Sequence, residues 1–101
     1  MMEKKRYLLL QLEAEGGAKL SQDDFKHACY EAVFALLGEA GAARAALQPK
    51  LFDAQKQLGV IKCSLASLNK VIAALACKNS FKGRKIALRL QKISGSIGKL
   101  E

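Results

Sequence analysis

Apolar and polar residues alternate near both ends of the chain, and this period of two predicts β-strands. From Arg6 to Glu13, three leucines, Leu8, Leu10 and Leu12, alternate with mostly polar neighbours. A similar alternation over Lys85–Gln91 predicts the last strand. Its apolar side carries Ile86, Leu88 and Leu90, and its other side carries Lys85, Ala87, Arg89 and Gln91.

Two further strands are predicted in the middle of the chain, over Ala46–Asp53 and Gly59–Cys63. Pro49 falls inside the first of them. Because proline has no N–H to donate to a neighbouring strand, we expect this strand at an edge of the sheet. The second strand is apolar enough to lie centrally.

Apolar residues recur with helical spacing in two segments between the strands. The first helix should begin after Ser21 as N-cap, with Asp23 and Asp24 in its first turn, and run out at 38–41. Ser64 or Ser67 should cap the second helix, and a basic loop is expected over Cys77–Gly83. The predicted buried stripes are Phe25, Cys29, Ala32 and Leu36, then Leu65, Leu68, Ile72 and Leu75.

The predicted order of strand, helix, two strands, helix and strand indicates an α+β domain. With two right-handed crossovers it gives a split β-α-β (ferredoxin-like) sandwich, in which a four-stranded antiparallel sheet carries both helices on one face. The first and third strands should be central. The uncovered face of the sheet would then present Tyr7, Gln11, Lys62, Lys85 and Arg89.

Charge divides the chain into two unlike halves. Residues 1–53 hold seven Lys/Arg and eight Asp/Glu, a net charge of −1, whereas residues 54–101 hold ten Lys/Arg and one acid, a net charge of +9. Such crowding of like charge is typical of a surface that meets a polyanion, and nucleic acid is the leading candidate. The basic run near the end comprises Lys78, Lys82, Arg84, Lys85, Arg89, Lys92 and Lys99.

These cations suit contacts to phosphate and sugar, which set position and affinity without reading sequence. Lysines that guard a solvated strand edge are the alternative interpretation. Base stacking on the sheet is not expected, because Tyr7 is the one aromatic residue in the two predicted central strands.

Other classes of protein find little support in the sequence. No apolar run approaches the length that crosses a bilayer, and three cysteines without a C-x-x-C pair indicate reduced, buried thiols in a cytoplasmic protein. His27 is the one histidine, Asp23 and Asp24 are explained by helix capping, and the glycines at 38 and 41 follow a helix rather than precede one. No catalytic residue and no metal ligand is therefore predicted.

Four segments in order along the chain resemble the ribonuclease P protein component 2 family, the archaeal counterpart of the eukaryotic Pop-five subunit. They are Lys5-Arg6-Tyr7-Leu8, residues 37–42 (LGEAGA), Gly59-Val60-Ile61-Lys62-Cys63 and Ile93-Ser94-Gly95-Ser96-Ile97. The resemblance covers nearly the whole chain and implies one domain over residues 1–101, with a fold of the split β-α-β type. Members often continue into a longer final helix after the Ser-Gly-Ser segment.

The resemblance also implies a function. It implies a non-catalytic subunit of the ribonucleoprotein that removes the 5′ leader from precursor tRNA, an endonuclease whose RNA subunit carries out the hydrolysis with Mg²⁺. The implied partners are the ribonuclease P RNA and protein component 3, with a homodimer or a heterotetramer with component 3 as further assemblies. From the family motifs, Lys5, Arg6, Ser94 and Ser96 join the RNA-binding candidates; the others are Lys78, Lys82, Arg84, Lys85, Arg89 and Lys92.

Two other functions fit parts of the sequence. A small-molecule-binding regulatory or dimerisation domain can use the same fold, but it predicts no special charge. A free-standing RNA chaperone explains the charge and leaves the four family segments unexplained.

Overall fold

The computed structural model describes residues 4–99 of the chain. Residues 1–3, 100 and 101 lie outside the described residues, as does the side chain of Lys99, the last member of the predicted basic run. The elements, in chain order, are β1 (Lys5–Ala14), α1 (Gln22–Ala45), β2 (Gln48–Asp53), β3 (Leu58–Ser64), α2 (Leu68–Cys77), β4 (Ser80–Phe81) and β5 (Arg84–Ser94). Short 3₁₀ turns occupy Glu15–Gly17, Leu65–Ser67 and Ile97–Lys99.

The sheet is antiparallel, and its strands lie in the order β2-β3-β1-β5-β4. The α+β class is confirmed, and so are the central placement of β1 and β3 and the edge position of β2. The count of four strands is wrong, because Ser80–Phe81 forms a fifth. This strand has two residues, which is too short for any alternation to reveal it. The ferredoxin-like assignment stays a prediction.

β4 and β5 are joined by the two-residue turn Lys82-Gly83. Both residues have positive φ, 51° and 77°, as a type I′ hairpin turn requires. Phe81 then lies opposite Arg84, and its ring is buried against the core. The segment predicted as a basic loop is therefore the end of α2 followed by a hairpin.

Helix α1 begins as predicted. The Asp24 N–H donates to the Ser21 hydroxyl at 3.1 Å, and the Ser21 N–H donates to the Asp24 carboxylate at 3.4 Å, a reciprocal capping box. The helix does not end at residues 38–41 as predicted, however, and continues to Ala45. Gly38 interrupts it with φ of 71°, a value open to glycine, so the chain breaks its direction and resumes the helix.

Both helices pack on one face of the sheet, over β-strand residues that include the fully buried Leu8, Leu10 and Ile61. The α1 stripe is confirmed at Phe25, Cys29 and Ala32. It is wrong at Leu36, which is 51% exposed and lines a groove between α1 and the end of α2. The remaining α1 core positions are Ala28, Val33 and Ala45.

Helix α2 buries a different side from the predicted one. Leu75 is buried as expected, but Leu65, Leu68 and Ile72 are only half-buried, and Val71 and Ala74 take the innermost positions. Neither predicted serine caps the helix with its side chain. The Ser64 hydroxyl instead donates to the Arg44 carbonyl at 3.1 Å, which ties the end of β3 to the end of α1.

The middle of the sheet meets α1 through stacked aromatic rings. Phe25 and Phe52 stack with centroids 4.7 Å apart and an angle of 17° between the rings. Gly59, opposite Phe52 in the sheet, leaves room for this stack, since a Cβ there would lie 2.3 Å from the Phe25 ring. This contact explains why the apolar β3 run begins with glycine.

The buried Gln57 joins three segments at one end of the sheet. Its side-chain amide donates to the Leu20 carbonyl at 3.0 Å, and its amide oxygen accepts from the Leu20 N–H at 2.9 Å. Its own carbonyl accepts from the Leu12 N–H at 2.8 Å. The β2–β3 turn is thereby fixed to β1 and to the segment before α1.

Candidate nucleic-acid interface

The sheet surface opposite the helices is defined here as the open face. In β1 it carries Lys5, Tyr7, Leu9, Gln11 and Glu13, which alternate with the buried leucines. Residues directly opposite each other in neighbouring strands share a face of the sheet, so the register gives the rest. Lys62, Val60 and Leu58 lie opposite Tyr7, Leu9 and Gln11 in β3, and Ser94, Lys92 and Arg89 lie opposite them in β5.

A polar row crosses four strands at one end of the open face. It consists of Gln48, Lys62, Tyr7 and Ser94, each the register partner of the next. Amide, ammonium and hydroxyl groups thus lie side by side. All of these groups can donate hydrogen bonds, as contacts to a phosphate oxygen require.

The next row toward the middle of the sheet is largely aliphatic. It contains Leu51, Val60 and Leu9, and it ends at Lys92. Leu51 is 46% exposed, whereas Val60 is covered by its neighbours. The row gives the open face a flat apolar centre that offers no aromatic ring for stacking, as the sequence predicts.

The described acids of the open face lie toward the end of the sheet opposite the polar row. Glu13 forms an ion pair with Arg89. Asp53 accepts hydrogen bonds from the N–H groups of Gln55 and Lys56, at 2.9 and 3.1 Å, and so closes the β2–β3 turn. Glu13 is six residues along β1 from Tyr7, about 20 Å at the rise of a strand. At physiological salt, exposed charges that far apart are largely screened from each other.

Three lysines gather at the polar end, and we call Lys5, Lys50 and Lys62 the lysine corner. Lys5 alternates with Tyr7 in β1, and Lys62 lies opposite Tyr7 in β3. Lys50 sits at a β-bulge, because Pro49 faces Ile61 and Leu51 faces the adjacent Val60. None of the ion pairs between described residues involves these three lysines.

The charges of the lysine corner affect one another. Desolvation lowers the pKa of Lys62, and the nearby charges of Lys50 and then Lys5 lower it further. The folded protein therefore holds the charged form of Lys62 less readily than the unfolded chain does. An anion at this corner would reverse that preference.

Two cations of the predicted basic run lie on the helix side of the sheet and form ion pairs with acids of α1. Lys78 pairs with Glu31 at 2.8 Å, and Lys82 pairs with Asp24 at 3.1 Å. Both ammonium groups also lie over the Phe81 ring, 5.9 and 5.4 Å from its centroid. Their proposed contact with RNA stays a prediction, and it would compete with these internal partners.

The other cations of the run are divided between the two faces. Lys85, Arg89 and Lys92 lie on the open face by register, although Arg89 is paired with Glu13. Arg84 is exposed beside the β4–β5 turn. A run that is continuous in sequence is thus not one continuous patch in space.

The first and last family segments meet at the end of the sheet. Tyr7 and Ser94 are register partners, and a Cβ added at Gly95 would lie 3.7 Å from the Arg6 guanidinium. The Ser94 hydroxyl accepts the Ser96 N–H at 3.1 Å. The family segments therefore bring four candidates together: Lys5, which belongs to the lysine corner, and its neighbours Arg6, Ser94 and Ser96.

Sequence reasoning missed Lys50 altogether and did not include Lys62 among the RNA-binding candidates. The alternation of β3 places Lys62 on the open face, which was the available signal. No sequence signal indicated Lys50, because its position depends on a bulge that the sequence of β2 does not predict.

The described residues offer little for catalysis. His27 is exposed on α1, and among residues 4–99 no three His, Cys, Asp or Glu side chains are grouped as metal ligands would be. Burial raises the pKa of Cys29 to about 12 and that of Cys63 to about 11, so both thiols are unreactive near neutral pH. Cys77, expected to be buried, is exposed at the end of α2.

Outside the sheet, α1 exposes an apolar patch, defined by Tyr30 and Phe34. Their side-chain exposures are 38% and 54%, and Ala35 extends the surface toward Leu36. Tyr30 and Phe34 also line a groove of about 420 Å³ that reaches Glu39 and Leu47. No helix in the described part of the chain combines the length and apolar character of a membrane span.

Comparison with known proteins identifies relatives along the entire length. Residues 6–101 match the model of the Rpp14/Pop5 family. The chain is 30% identical over 101 residues to ribonuclease P protein component 2 of Pyrococcus furiosus, with 100% of this chain and 82% of the relative covered. The component 2 protein of Thermococcus kodakarensis is similar to the same extent, at 30% identity and the same coverage.

The fold is also found in a solved structure. A chain in the cryo-EM structure of yeast ribonuclease MRP superimposes with a TM-score of 0.71, covering 95% of this chain and 77% of that one, at 12% identity. The family match and the full-length identity to component 2 proteins agree with the order of the four sequence segments. This chain belongs to the Rpp14/Pop5 family of ribonuclease P protein subunits.

Proposed function

We propose that this chain is a non-catalytic subunit of a ribonuclease P ribonucleoprotein, which removes the 5′ leader from precursor tRNA, and that it binds the RNA subunit through the open face. Membership of the Rpp14/Pop5 family carries the proposal. The polar end of the open face, where none of the described acids lies, supports it, because a surface of donors and cations suits RNA phosphates.

In this proposal the RNA subunit performs the chemistry with Mg²⁺, and the protein supplies cations that reduce repulsion between phosphates of the folded RNA. The chain alone should not cleave precursor tRNA. Added to the RNA with component 3, it should lower the Mg²⁺ concentration that half-maximal cleavage needs. A His27→Ala variant should keep the stimulated rate within about twofold, since loss of a general base costs about 10²-fold or more.

Reconstitution with purified parts tests this. Cleavage of precursor tRNA is measured against Mg²⁺ concentration with RNA alone, RNA plus component 3, and RNA plus both proteins. A Mg²⁺ requirement that the chain does not lower contradicts the proposal, as does cleavage by the protein without RNA.

We further propose that component 3 covers the α1 patch. An exposed pair of aromatic side chains beside an apolar groove is typical of a protein contact, and the carboxylate of Glu39 at its margin disfavours RNA. This acid favours a partner whose apolar contact residues are flanked by cations.

A second copy of the chain is the alternative occupant of this patch.

A charge placed at the centre of the patch tests this assignment. Phe34→Glu should abolish binding to purified component 3, whereas binding to the RNA should stay within about twofold. Glu39→Gln is the matched control on the rim, and a loss of a few-fold is expected. Full binding by Phe34→Glu overturns the patch assignment, and dimerisation of the wild-type chain in light scattering, abolished by the same change, assigns the patch to a second copy.

A further inference from the structure

Three cations that act on one another at the polar end of the open face come from three separate strands, not from the basic run. Lys5 lies in β1, Lys50 in β2 and Lys62 in β3. Among the described residues, the ion pairs that tie Lys78, Lys82 and Arg89 to acids do not extend to these three. The lysine corner therefore combines closeness with charge that no described carboxylate offsets.

From this arrangement we propose that the lysine corner is the phosphate-binding site of the open face and holds the backbone of one RNA strand. The inference deepens the proposed function and rests on it for the identity of the RNA. Tyr7, Gln48 and Ser94 border the corner and supply neutral donors to the same strand.

Three observations support a binding role over a purely structural one. First, the β2 bulge sets Lys50 outside the regular pairing, on the approach to Lys62. Second, the acids of this face within residues 4–99, Glu13 and Asp53, lie toward the opposite end and are engaged by Arg89 and by backbone N–H groups. Third, desolvation and then the neighbouring charges of Lys50 and Lys5 lower the pKa of Lys62, so the charged form of Lys62 does not stabilise the free protein.

The site should hold RNA by position and not by sequence. The neighbouring row of Leu51, Val60 and Leu9 offers bases no aromatic surface, and ammonium groups act on phosphate as point charges. We therefore expect contacts to phosphates, with Tyr7 as the one ring on this part of the face that a base could approach.

The salt dependence of RNA binding measures how many phosphates the protein neutralises. The probe is a transcript of the ribonuclease P RNA, with an unrelated structured RNA of equal length beside it, titrated at several salt concentrations. The test variant carries Lys5→Gln, Lys50→Gln and Lys62→Gln. The matched control carries Lys26→Gln, Lys56→Gln and Lys70→Gln. These are exposed lysines of α1, the β2–β3 turn and α2, and the control loses the same net charge as the test variant.

The test variant should lower the log-log slope by roughly 2 to 3, because each phosphate contact contributes about 0.7 to 0.9, whereas the control should keep the wild-type slope. Equal losses in both variants would mean that net charge alone attracts the RNA and would overturn the site. An unchanged slope in the test variant would also overturn it. If the wild type binds both RNAs equally, the proposed function fails, but the slope comparison still reports on the lysine corner.

A second measurement separates binding from folding. Lys62→Met should raise the melting temperature of the free protein, since it removes a crowded and desolvated charge, and at the same time it should weaken RNA binding. A lower melting temperature together with unchanged RNA binding would assign Lys62 a structural role and contradict the proposal.

Discussion

The helix side of the sheet and the lysine corner of the open face hold positive charge in different surroundings. On the helix side, Lys78 and Lys82 lie beside carboxylates of α1 and over the Phe81 ring. On the open face, the lysine corner gathers cations without such partners among the described residues. A count of charge along the sequence cannot separate these cases, because the acids that neutralise the basic half come from the acidic half.

The same contrast holds for apolar residues of one strand, and truncation should show it most strongly. Leu10→Ala removes a fully buried side chain between sheet and helices and should lower the free energy of unfolding by about 2 to 5 kcal/mol. Its neighbour Leu9 faces the open side and is half-buried, so Leu9→Ala should cost about 1 kcal/mol. Urea unfolding of both variants measures the difference. Equal losses would mean that the open face is packed like the core.

Overpacking beneath Phe25 gives the next largest effect. A methyl group at Gly59 would lie 2.3 Å from the ring, so Gly59→Ala should lower the free energy of unfolding by about 1 to 3 kcal/mol. Gly95→Ala is the control, because its nearest contact would be an ordinary 3.7 Å to Arg6. Thermal melts of the two variants should differ clearly, and a stable Gly59→Ala protein would show that the aromatic stack shifts freely.

Thiol chemistry distinguishes the core from the surface without any mutation. Cys77 is exposed, whereas Cys29 and Cys63 are buried with their pKa values raised to about 12 and about 11. A thiol reagent at neutral pH should therefore label one cysteine quickly and the other two only when the protein unfolds. Rapid labelling of all three would mean that the sheet and helices separate easily. A Cys77→Ser variant should lack the fast phase.

The smallest expected effect concerns the ion pair at the start of α1. The hydrogen bond from Lys82 lowers the pKa of Asp24 below its ordinary value, so its stabilising effect is complete above that value, 3.8, and is lost as the pH falls through the lowered pKa. Asp24→Asn should therefore flatten the stability profile slightly in acid. Lys82→Met should do the same and cost well under 1 kcal/mol at neutral pH, as exposed pairs generally do. Chemical unfolding from pH 2 to pH 7 tests both variants, and identical acid profiles would exclude a role for this pair.

Most of the sheet follows from local pattern, because alternation and a single proline are properties of a few adjacent residues. The positions of β1 and β3, the edge location of Pro49 and the Ser21 cap were all predictable. Leu36 is misplaced because the helical period marks one side of α1 but does not say how far along the helix the core extends. The fifth strand was missed because it depends on a tight turn in which Lys82 adopts a positive φ.

The candidate site was harder to predict than the fold. Its members come from β1, β2 and β3, and their closeness depends on register and on the bulge at Lys50. Another irregularity, between Leu9 and Leu10, shifts the pairing with β5, so that Lys92 and not Gln91 lies opposite Leu9. Such one-residue shifts leave no trace in composition, yet they decide which side chains share a face.

The position of β1 in the sheet affects how the chain folds while it is being synthesised. This strand is made before both of its neighbours in the sheet, β3 and β5. Its second edge is covered only when synthesis reaches Ser94, 80 residues after Ala14, which takes about 4 to 16 s at ordinary translation rates. During this time at least one edge of a leucine-rich strand is unpaired. An unpaired edge can pair with strands of other chains, so the nascent chain is open to aggregation until β5 has been made.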